Sequence, residues 1–600
     1  MANDIVRLKE RADNLKKYWE PRDTRIKDER DFLNLPQPKV IKKGFINIVL
    51  NEPKVLYDTS VSLISGFPPR FRLPIHAQVE TEKVKMNKAE RFLTGVLREV
   101  ESRQLARGRD RWTRELAWYL CGGWYAVFVF VDTDEDDNPV FRWEIFDPLT
   151  IYPRWGLDKL TEVARIFYME VESAYNMAKL NGWKVPDNFP AISEGVGTAG
   201  NNIQVTNYWW LDGRDVYNCV WLGDMLSKDI TQHKEFKDEI PMLVGPVGGS
   251  PVRATTESDK GWIKYIGEGV ITTNRGMFEQ QNKLVSLMMQ VVQDTAYPNL
   301  LDYTRTGAAK LKPEDLGSGK VHHRQIGEVI EVLKHASTPN DVNVLLNLIG
   351  QGVQRGGLPY AIYGNIPFEL SGFALSQLIA GMRHKLNPYM FMFNRIIAEC
   401  GLQTMRLYKQ GDFKPVDLVV STPKGDSFTE NFDPNVDIPD VRFVEVETPL
   451  AVPLDKNQLL AAIRQAVARP QILSRETVWD TFPELGVDDK EVEYERIMGD
   501  EMMDDPVVKK IHYIEKFRQE AEKWETKNKV VSDRIKKYAD LLENQLMSVL
   551  VEKPPKEEVP GLPGGAIPPE RLGESRAAES MMEGKVPPMT LKSEMTGVPE

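Results

Sequence analysis

Between residues 270 and 411 the chain carries a succession of helix start and stop signals that few folds can accommodate. A long helix is predicted from near Asn274, a candidate N-cap, to Tyr297, where Pro298 ends it because proline lacks the N–H the ladder needs. At 1.5 Å per residue it would measure about 35 Å. A second is predicted from Thr338 as N-cap, with Pro339 at N1 and Asp341 at N3, to Gly356 and Gly357, with Pro359 beyond. A third runs from about Phe373 to Lys409 and contains Pro388, which should kink it. Between the first two helices, Asn299 to Lys334 form a compact insertion with Gly307, Pro313, Gly317 and Gly319, a strand-like HHRQIGEVIEVLK and a local excess of Lys, Arg and His. Between the second and third, LPYAIYGNIPFELSG (358–372) holds two prolines and two glycines and cannot be regular structure.

Ahead of these helices the chain reads as an α+β body. Helices are predicted over Asp4 to Tyr18, Ile46 to Leu63 and Val84 to Ser102, with Pro53 and the Pro68-Pro69 pair as breaks. WYAVFVFVD from Trp124, the acidic turn TDEDDNP, VFRWEIFD and an extension at Leu149 to Pro153 predict a hairpin with its loop near Asp134 to Pro139. EVARIFYMEV, IQVTNYWWLD and DVYNCVWLG are further strand-like runs. The most apolar stretch, Leu116 to Val131, is shorter than the ~20 residues of a spanning helix and is split by Gly122 and Gly123, so it reads as a helix end followed by a buried strand, and no membrane association is expected. Beyond Asp412 come a strand-bearing return including Val441 to Glu447, helices over Asp455 to Ala468, Ser474 to Phe482 and Asp488 to Glu501, and one charged helix from Val507 to about Leu550 with Ile511, Ile514, Trp524, Ile535, Tyr538, Leu542 and Leu546 as its apolar members. From Glu552 the Pro/Gly/Glu/Ser composition predicts disorder, because it cannot bury enough surface to offset ordering entropy.

At 600 residues the chain should hold roughly three to five structural units. Its 77 Lys+Arg against 88 Asp+Glu give a net charge of −11, which argues against coating nucleic acid by bulk positive charge but leaves a local basic patch open. Cys121, Cys219 and Cys400 lie far apart without a ligand-like pair, so a reducing compartment and no zinc, iron–sulfur or disulfide framework are expected. The amino-terminal MANDIVRLKERADNLKKYWEPRD has no apolar core of a signal peptide.

Enzyme signatures fail on inspection. Gly195 to Gly200 match G-x-G-x-x-G but precede a strand, not a helix whose N-terminus would hold pyrophosphate. Gly317-Ser318-Gly319-Lys320 lacks the first P-loop glycine and has Val321 where Mg²⁺ needs Ser or Thr. Asp132, Asp134 and Asp136 alternate as in a calcium loop, but Asp137 stands at the turn glycine and Trp143 at the bidentate Glu. His322 and His323 would point to opposite faces of a strand.

The order long helix, small basic insertion, capped helix, Pro/Gly/aromatic loop and long kinked helix, set in an α+β body and followed by helices, resembles the portal (head-to-tail connector) proteins of tailed double-stranded DNA bacteriophages. Local matches are LNEPKVLYDTSVSLISGFPPRFRLP (50–74), GGWYAVFVFVDTDEDDNPVFRWEIFDPLTIYP (122–153), LPYAIYGNIPFELSGFALSQL (358–378) and ILSRETVWDTFPELGVDDKEVEYERIMGDE (472–501), and the resemblance spans about residues 40 to 505. It implies a portal-type protomer: α/β wing (1–269), stem helix (270–298), β-containing clip (299–337), second stem helix (338–358), tunnel loop (359–372), kinked tunnel helix and wing return (373–450), helical crown (451–550) and disordered tail (551–600).

The resemblance further implies a ring of about twelve copies at one capsid vertex of the virion, assembled in the bacterial cytoplasm, through which double-stranded DNA is packaged and ejected. Its partners would be terminase, major capsid and scaffolding proteins, and head-completion adaptor or tail proteins, with no catalytic residue, metal or cofactor. Tyr363, Asn365, Phe368 and Glu369 would be the tunnel-loop residues, Lys310, Lys312, Lys320 and Arg324 the clip cations. The helical stripe Glu279, Lys283, Ser286, Gln290 and Gln293 would line the channel or a subunit seam, or simply face solvent. Two alternatives stand beside it: a nuclease or ATPase of the packaging or replication machinery, which needs a metal-binding carboxylate cluster or a phosphate loop, and a minor capsid or scaffolding protein, which would be less β-rich.

Overall fold

The computed structural model describes residues 2–36, 46–74, 80–185, 202–236, 238–250, 261–296, 300–308, 312, 323–332, 341–363, 372–421, 427–448, 493–499, 506–525 and 529–551. The chain divides into two compact units, residues 1–490 and 491–600. The mixture of helix and sheet is the expected α+β class.

The first helix, α1 (Ala2–Leu33), runs well past the predicted end at Tyr18 and straight through Pro21. A proline in a helix interior costs about 3 kcal/mol. The continuation beyond it buries Arg22 and Ile26 beside Trp19, all under 4 % exposed, and Arg22 Nη2 donates to Pro148 O and Ile151 O at 3.0 Å each. Those contacts exist only if the helix continues, and they outweigh the missing N–H. The apolar run at Ile46 is not helical at its start: 46–50 is irregular, and α2 (Glu52–Ser65) begins beyond it with Pro53 in its first turn. Helices α3 (Glu80–Ala106) and α4 (Trp112–Cys121) follow, separated from α2 by β1 (Arg70–Arg72).

The predicted hairpin forms as β2 (Trp124–Thr133) and β3 (Pro139–Ile145), paired from Val127↔Ile145 to Thr133↔Pro139. Its acidic loop is closed by the Asp134 carboxylate, which accepts from the backbone N–H groups of Asn138 at 2.7 Å and Asp136 at 3.0 Å. These bonds, the Asn138 ones foremost, hold the Asp134 carboxyl below its usual range and close the turn. The extension at Leu149 to Pro153 does not continue that sheet. It becomes β4 (Ile151–Trp155), the edge of a second, antiparallel sheet with β5 (Leu160–Glu170), β6 (Asn202–Asp212), β7 (Asp215–Leu222) and β8 (Met225–His233) in sequence order. A helix, α5 (Val171–Leu180), lies between β5 and β6, and β9 (Met242–Pro246) returns to pair with β2.

Strand alternation gives the five-stranded sheet two different faces. Tyr152, Ala164, Tyr208 and Trp221 pack against Trp19 and Ile26 of α1, whereas Val163, Trp209 and Val216 meet Ala126, Met242 and Val244 of the three-stranded sheet β3–β2–β9. At the α4–β2 junction Gly123 has φ +85°, and a Cβ there would lie 2.8 Å from the Glu268 carbonyl carbon, so the close backbone approach demands glycine.

The helices predicted from residues 270 onward appear as α6 (Arg275–Ala296), α7 (Asp341–Gly356) and α8 (Gly372–Gln410), the last assigned as one helix across Pro388. Between α6 and α7, β10 (Leu300–Tyr303) pairs with β11 (Val329–Val332). After α8, β12 (Val416–Ser421) and β13 (Ser427–Phe432) form a hairpin, and only β14 (Glu445–Glu447) of the predicted Val441 to Glu447 strand is regular, paired with β1. The main core gathers α2, α3, α4, α8 and β3 around Phe92, whose ring lies 5.4 Å from Tyr408 and Phe432 and 5.5 Å from Phe141.

In the second unit the expected single helix from Val507 to Leu550 is two: α9 (Pro506–Glu525) and α10 (Lys529–Val551) pack against each other in opposite directions. Phe517 meets Tyr538 edge-on, and Ser532 Oγ donates to Ala521 O. The seven apolar residues were spaced for one face, but Ile514 meets Ala539, Leu542 and Leu546 across a hairpin instead. Residues 493–499 are helical, within the predicted Asp488 to Glu501. The helices predicted over Asp455 to Ala468 and Ser474 to Phe482, and the tail from Glu552, lie outside the described residues, as does the Gly195 to Gly200 run. Among the described residues no helix is long and apolar enough to cross a membrane.

Candidate functional site

The module with the most unusual surface is α6, the β10–β11 hairpin and α7. Its two helices are fastened at their base by Asn274. The sequence suggests this residue as the N-cap of α6, but it closes a short 3-10 turn, Thr272–Asn274, and its Nδ2 donates to Val353 O of α7 at 2.8 Å. Gly356 is the complement to that bond, since a Cβ there would sit 2.0 Å from Asn274 Oδ1.

One face of α6 carries polar residues four apart, Asn282, Ser286 and Gln290, and these capture the irregular segment 46–50. Leu50 N donates to Asn282 Oδ1 at 3.0 Å, Ile48 N to Ser286 Oγ at 2.9 Å and Ile46 N to Gln290 Oε1 at 3.0 Å. The match is geometric: one helical step of four residues rises about 6 Å, and two residues of extended chain about 6.6 Å. Ser286 is 1 % exposed and also donates to Asn282 O at 2.7 Å. Of the five predicted stripe residues, Ser286 and Gln290 therefore serve this ladder and are withdrawn from any open surface. Glu279, Lys283 and Gln293 are exposed, and Glu279 pairs with Arg275 one turn earlier. Replacing Ser286 with Ala should leave the half-buried Ile48 N–H without a partner and destabilise the first unit by about 1–3 kcal/mol, read from the urea midpoint; an unchanged midpoint would show the ladder to be dispensable.

Toward its far end α6 turns apolar outward. The helical row Phe278, Asn282, Val285, Met289, Val292 begins buried and ends with Met289 43 % and Val292 58 % exposed. On α7, Val344, Leu345 and Leu348 are about half exposed or more, and the β10–β11 hairpin presents Tyr303, Val329 and Val332. The hairpin is stapled internally, because Arg324 Nη1 meets Asp302 Oδ1 at 2.6 Å with both side chains about 15 % exposed. Arg324 is thus committed to an ion pair within the hairpin and is not a free clip cation. Lys312 is exposed, while Lys310 and Lys320 lie outside the described residues.

The predicted tunnel loop opens as a 3-10 turn, Tyr360–Tyr363, in which Ile362 and Tyr363 pack on the main core. Tyr363 is an anchor there, not a free ring. Asn365, Phe368 and Glu369 lie outside the described residues. The sequence offered no sign of the ladder on α6, since its two sides are more than 230 residues apart. Compared with known protein families the chain matches none, and no curated protein matches it.

Proposed function

We propose that this chain is a ring-forming portal subunit, a conduit at a capsid vertex through which double-stranded DNA passes, with α6 and α7 as stem helices, the β10–β11 hairpin as clip and α8 as tunnel helix. The observation that carries this reading is the apolar surface of the module. Met289, Val292, Val344, Leu345 and Leu348 are exposed on paired helices in a chain that has a large core elsewhere. Contiguous apolar surface on a soluble protein marks a partner site. A ring supplies that partner by repeating the chain. The exposed Glu279, Lys283 and Gln293 would then fall on a lumen face or seam, and the net charge of −11 suits a duct, because each phosphate a wall neutralises adds salt-sensitive grip on the cargo.

Native mass measurement and electron microscopy of the purified protein test this directly. Rings of about twelve copies are expected, and a monomer at micromolar concentration would overturn the reading. Within it, deleting residues 305–332 should leave soluble rings that no longer bind the head-completion adaptor. Adaptor binding that survives the deletion would remove the clip assignment while leaving the ring untouched.

A further inference from the structure

Outside that module, a cleft of about 480 Å³ lies between the five-stranded sheet, β2 and the end of α8. That volume falls in the range of small-molecule sites. Its floor is the face of β6, β7 and β8 that points away from α1. By register Trp209 faces Asn218 and Asn207 faces Val220, which in turn faces Lys228. Asn207, Asn218 and Lys228 make this patch polar.

The polar groups form one chain of hydrogen bonds. Lys228 Nζ lies 2.7 Å from Asn218 Oδ1 and 3.3 Å from His233 Nε2, and His233 Nδ1 lies 2.6 Å from Glu235 Oε1. The tautomer that satisfies every contact has Nδ1–H donating to Glu235 and Nε2 accepting from the ammonium. Asn218, 1 % exposed, uses its Nδ2 on Asn207 Oδ1 at 2.6 Å and Tyr208 O at 3.1 Å. Both Asn218 amide groups and both His233 nitrogens are thereby consumed. Among the described residues, the third Lys228 N–H and the Asn207 amide nitrogen stay unused as donors at the Asn218 end, and the second Glu235 carboxylate oxygen stays unused beyond His233.

No carboxylate touches Lys228 among the described residues, and burial lowers its pKa more than Glu235, held off behind the His233 ring, raises it, so an arriving anion would meet a cation short of solvation. Arg165, the register neighbour of Asn207, does not line the cleft: its guanidinium lies 3.5 Å from the Phe146 ring centroid and 4.2 Å from that of Phe167. The walls are aromatic: Phe128 packs 5.6 Å from Trp209, and Phe236 closes the far side of Trp209 at 6.0 Å. Donors at one end and flat apolar rings around it specify an anion on a planar body.

We propose that this cleft binds a small aromatic carboxylate, its carboxylate accepting from Lys228 Nζ beside the Asn207 amide and its ring lying among Trp209, Phe128 and Phe236. The site is independent of ring assembly, and no step of DNA passage is routed through it.

1-Naphthoate and its uncharged amide, titrated into the full chain with calorimetry and tryptophan fluorescence, provide the test. The acid is expected to bind saturably in the millimolar range or tighter and the amide about tenfold or more weaker, since a hydrogen bond to a charged group is the difference between them. Lys228→Met keeps the stem and removes the charge, so it should weaken the acid about tenfold and leave the amide unchanged. Asn207→Asp, which sets a carboxylate against the ligand, decides the matter should Lys228→Met fail to fold. Absence of saturable binding, equal affinity for acid and amide, or undiminished acid binding in a folded variant would each overturn the proposal and leave the Lys228–Asn218 chain as sheet structure.

Discussion

Leu345 and Leu348 replaced together by glutamate should give a folded, soluble chain that no longer assembles. Both side chains lie on α7 and are 48 % and 58 % exposed in the single chain. Exposed substitutions away from special features change stability by about 0.5 kcal/mol or less. In a subunit seam the same carboxylates would be taken out of water without partners, at a cost of several kcal/mol at each contact. A closed ring repeats the penalty at every seam, so the expected outcome is a monomer by sedimentation with an unchanged far-ultraviolet spectrum. Rings of normal mass would show that this face of α7 is not in the seam, and loss of fold would show that it is internal packing.

Arg22→Met should destabilise the first unit by about 3–5 kcal/mol, the cost of breaking a buried ion pair from one side. Arg22 is fully buried, lies 4.7 Å from the Trp124 ring centroid and 5.1 Å from that of Trp19, and donates to Asp23, Pro148 O and Ile151 O. Methionine fills much of the space but leaves two carbonyls and a carboxylate stranded. Asp23 titrates above its usual range because burial outweighs the attraction of Arg22. An acid whose folded pKa is raised contributes stability below its unfolded pKa and loses it as pH rises through the folded value. Removing Arg22 deletes the attraction and deepens that loss, so the variant's deficit should be larger at pH 7 than at pH 4. Adding Asp23→Asn to Arg22→Met should recover a substantial part of it. Equal deficits at the two pH values would mean that the Arg22–Asp23 charge pair is not what holds α1 down.

Elements marked by local chemistry were legible in the sequence. The Gly356-Gly357 pair closes α7 as it predicts, and the TDEDDNP turn between two alternating runs leaves little choice but a hairpin. What was not legible depends on partners distant in sequence. The first helix reads as ending at Tyr18, yet the Trp124 ring and the Pro148 and Ile151 carbonyls that meet Arg22 and reward continuing past Pro21 are contributed from more than 100 residues away. Ser286 and Gln290 look like solvent-facing polar positions until the segment at Ile46 is laid over them. The hairpin of α9 and α10 hid behind a single apolar periodicity, because a helix that folds back on itself can keep the same spacing on both arms. Asn218 drew no notice within DVYNCVWLG, read as an ordinary strand, and Lys228 lies outside every run so read; only the pairing of β7 with β8, which sets Lys228 opposite Val220, brings the two within reach.

Mechanically, the ladder on α6 behaves as three springs in parallel, all aligned against sliding. A displacement of the helix along its own axis by one residue, about 1.5 Å, would lengthen all three bonds at once, to about 3.4 Å for bonds lying across the axis. Rotation about the axis would do the same. Because the step of the helix and the step of the extended chain differ by about 0.6 Å, a fourth rung would already be out of phase, so the clasp is short by necessity. Residue 50 leads directly into α2, which is embedded in the main core, so α6 is gauged against that core at Asn282, Ser286 and Gln290, with no further rung among the described residues. Thrust along α6 would thereby pass to the body of the unit through those three residues.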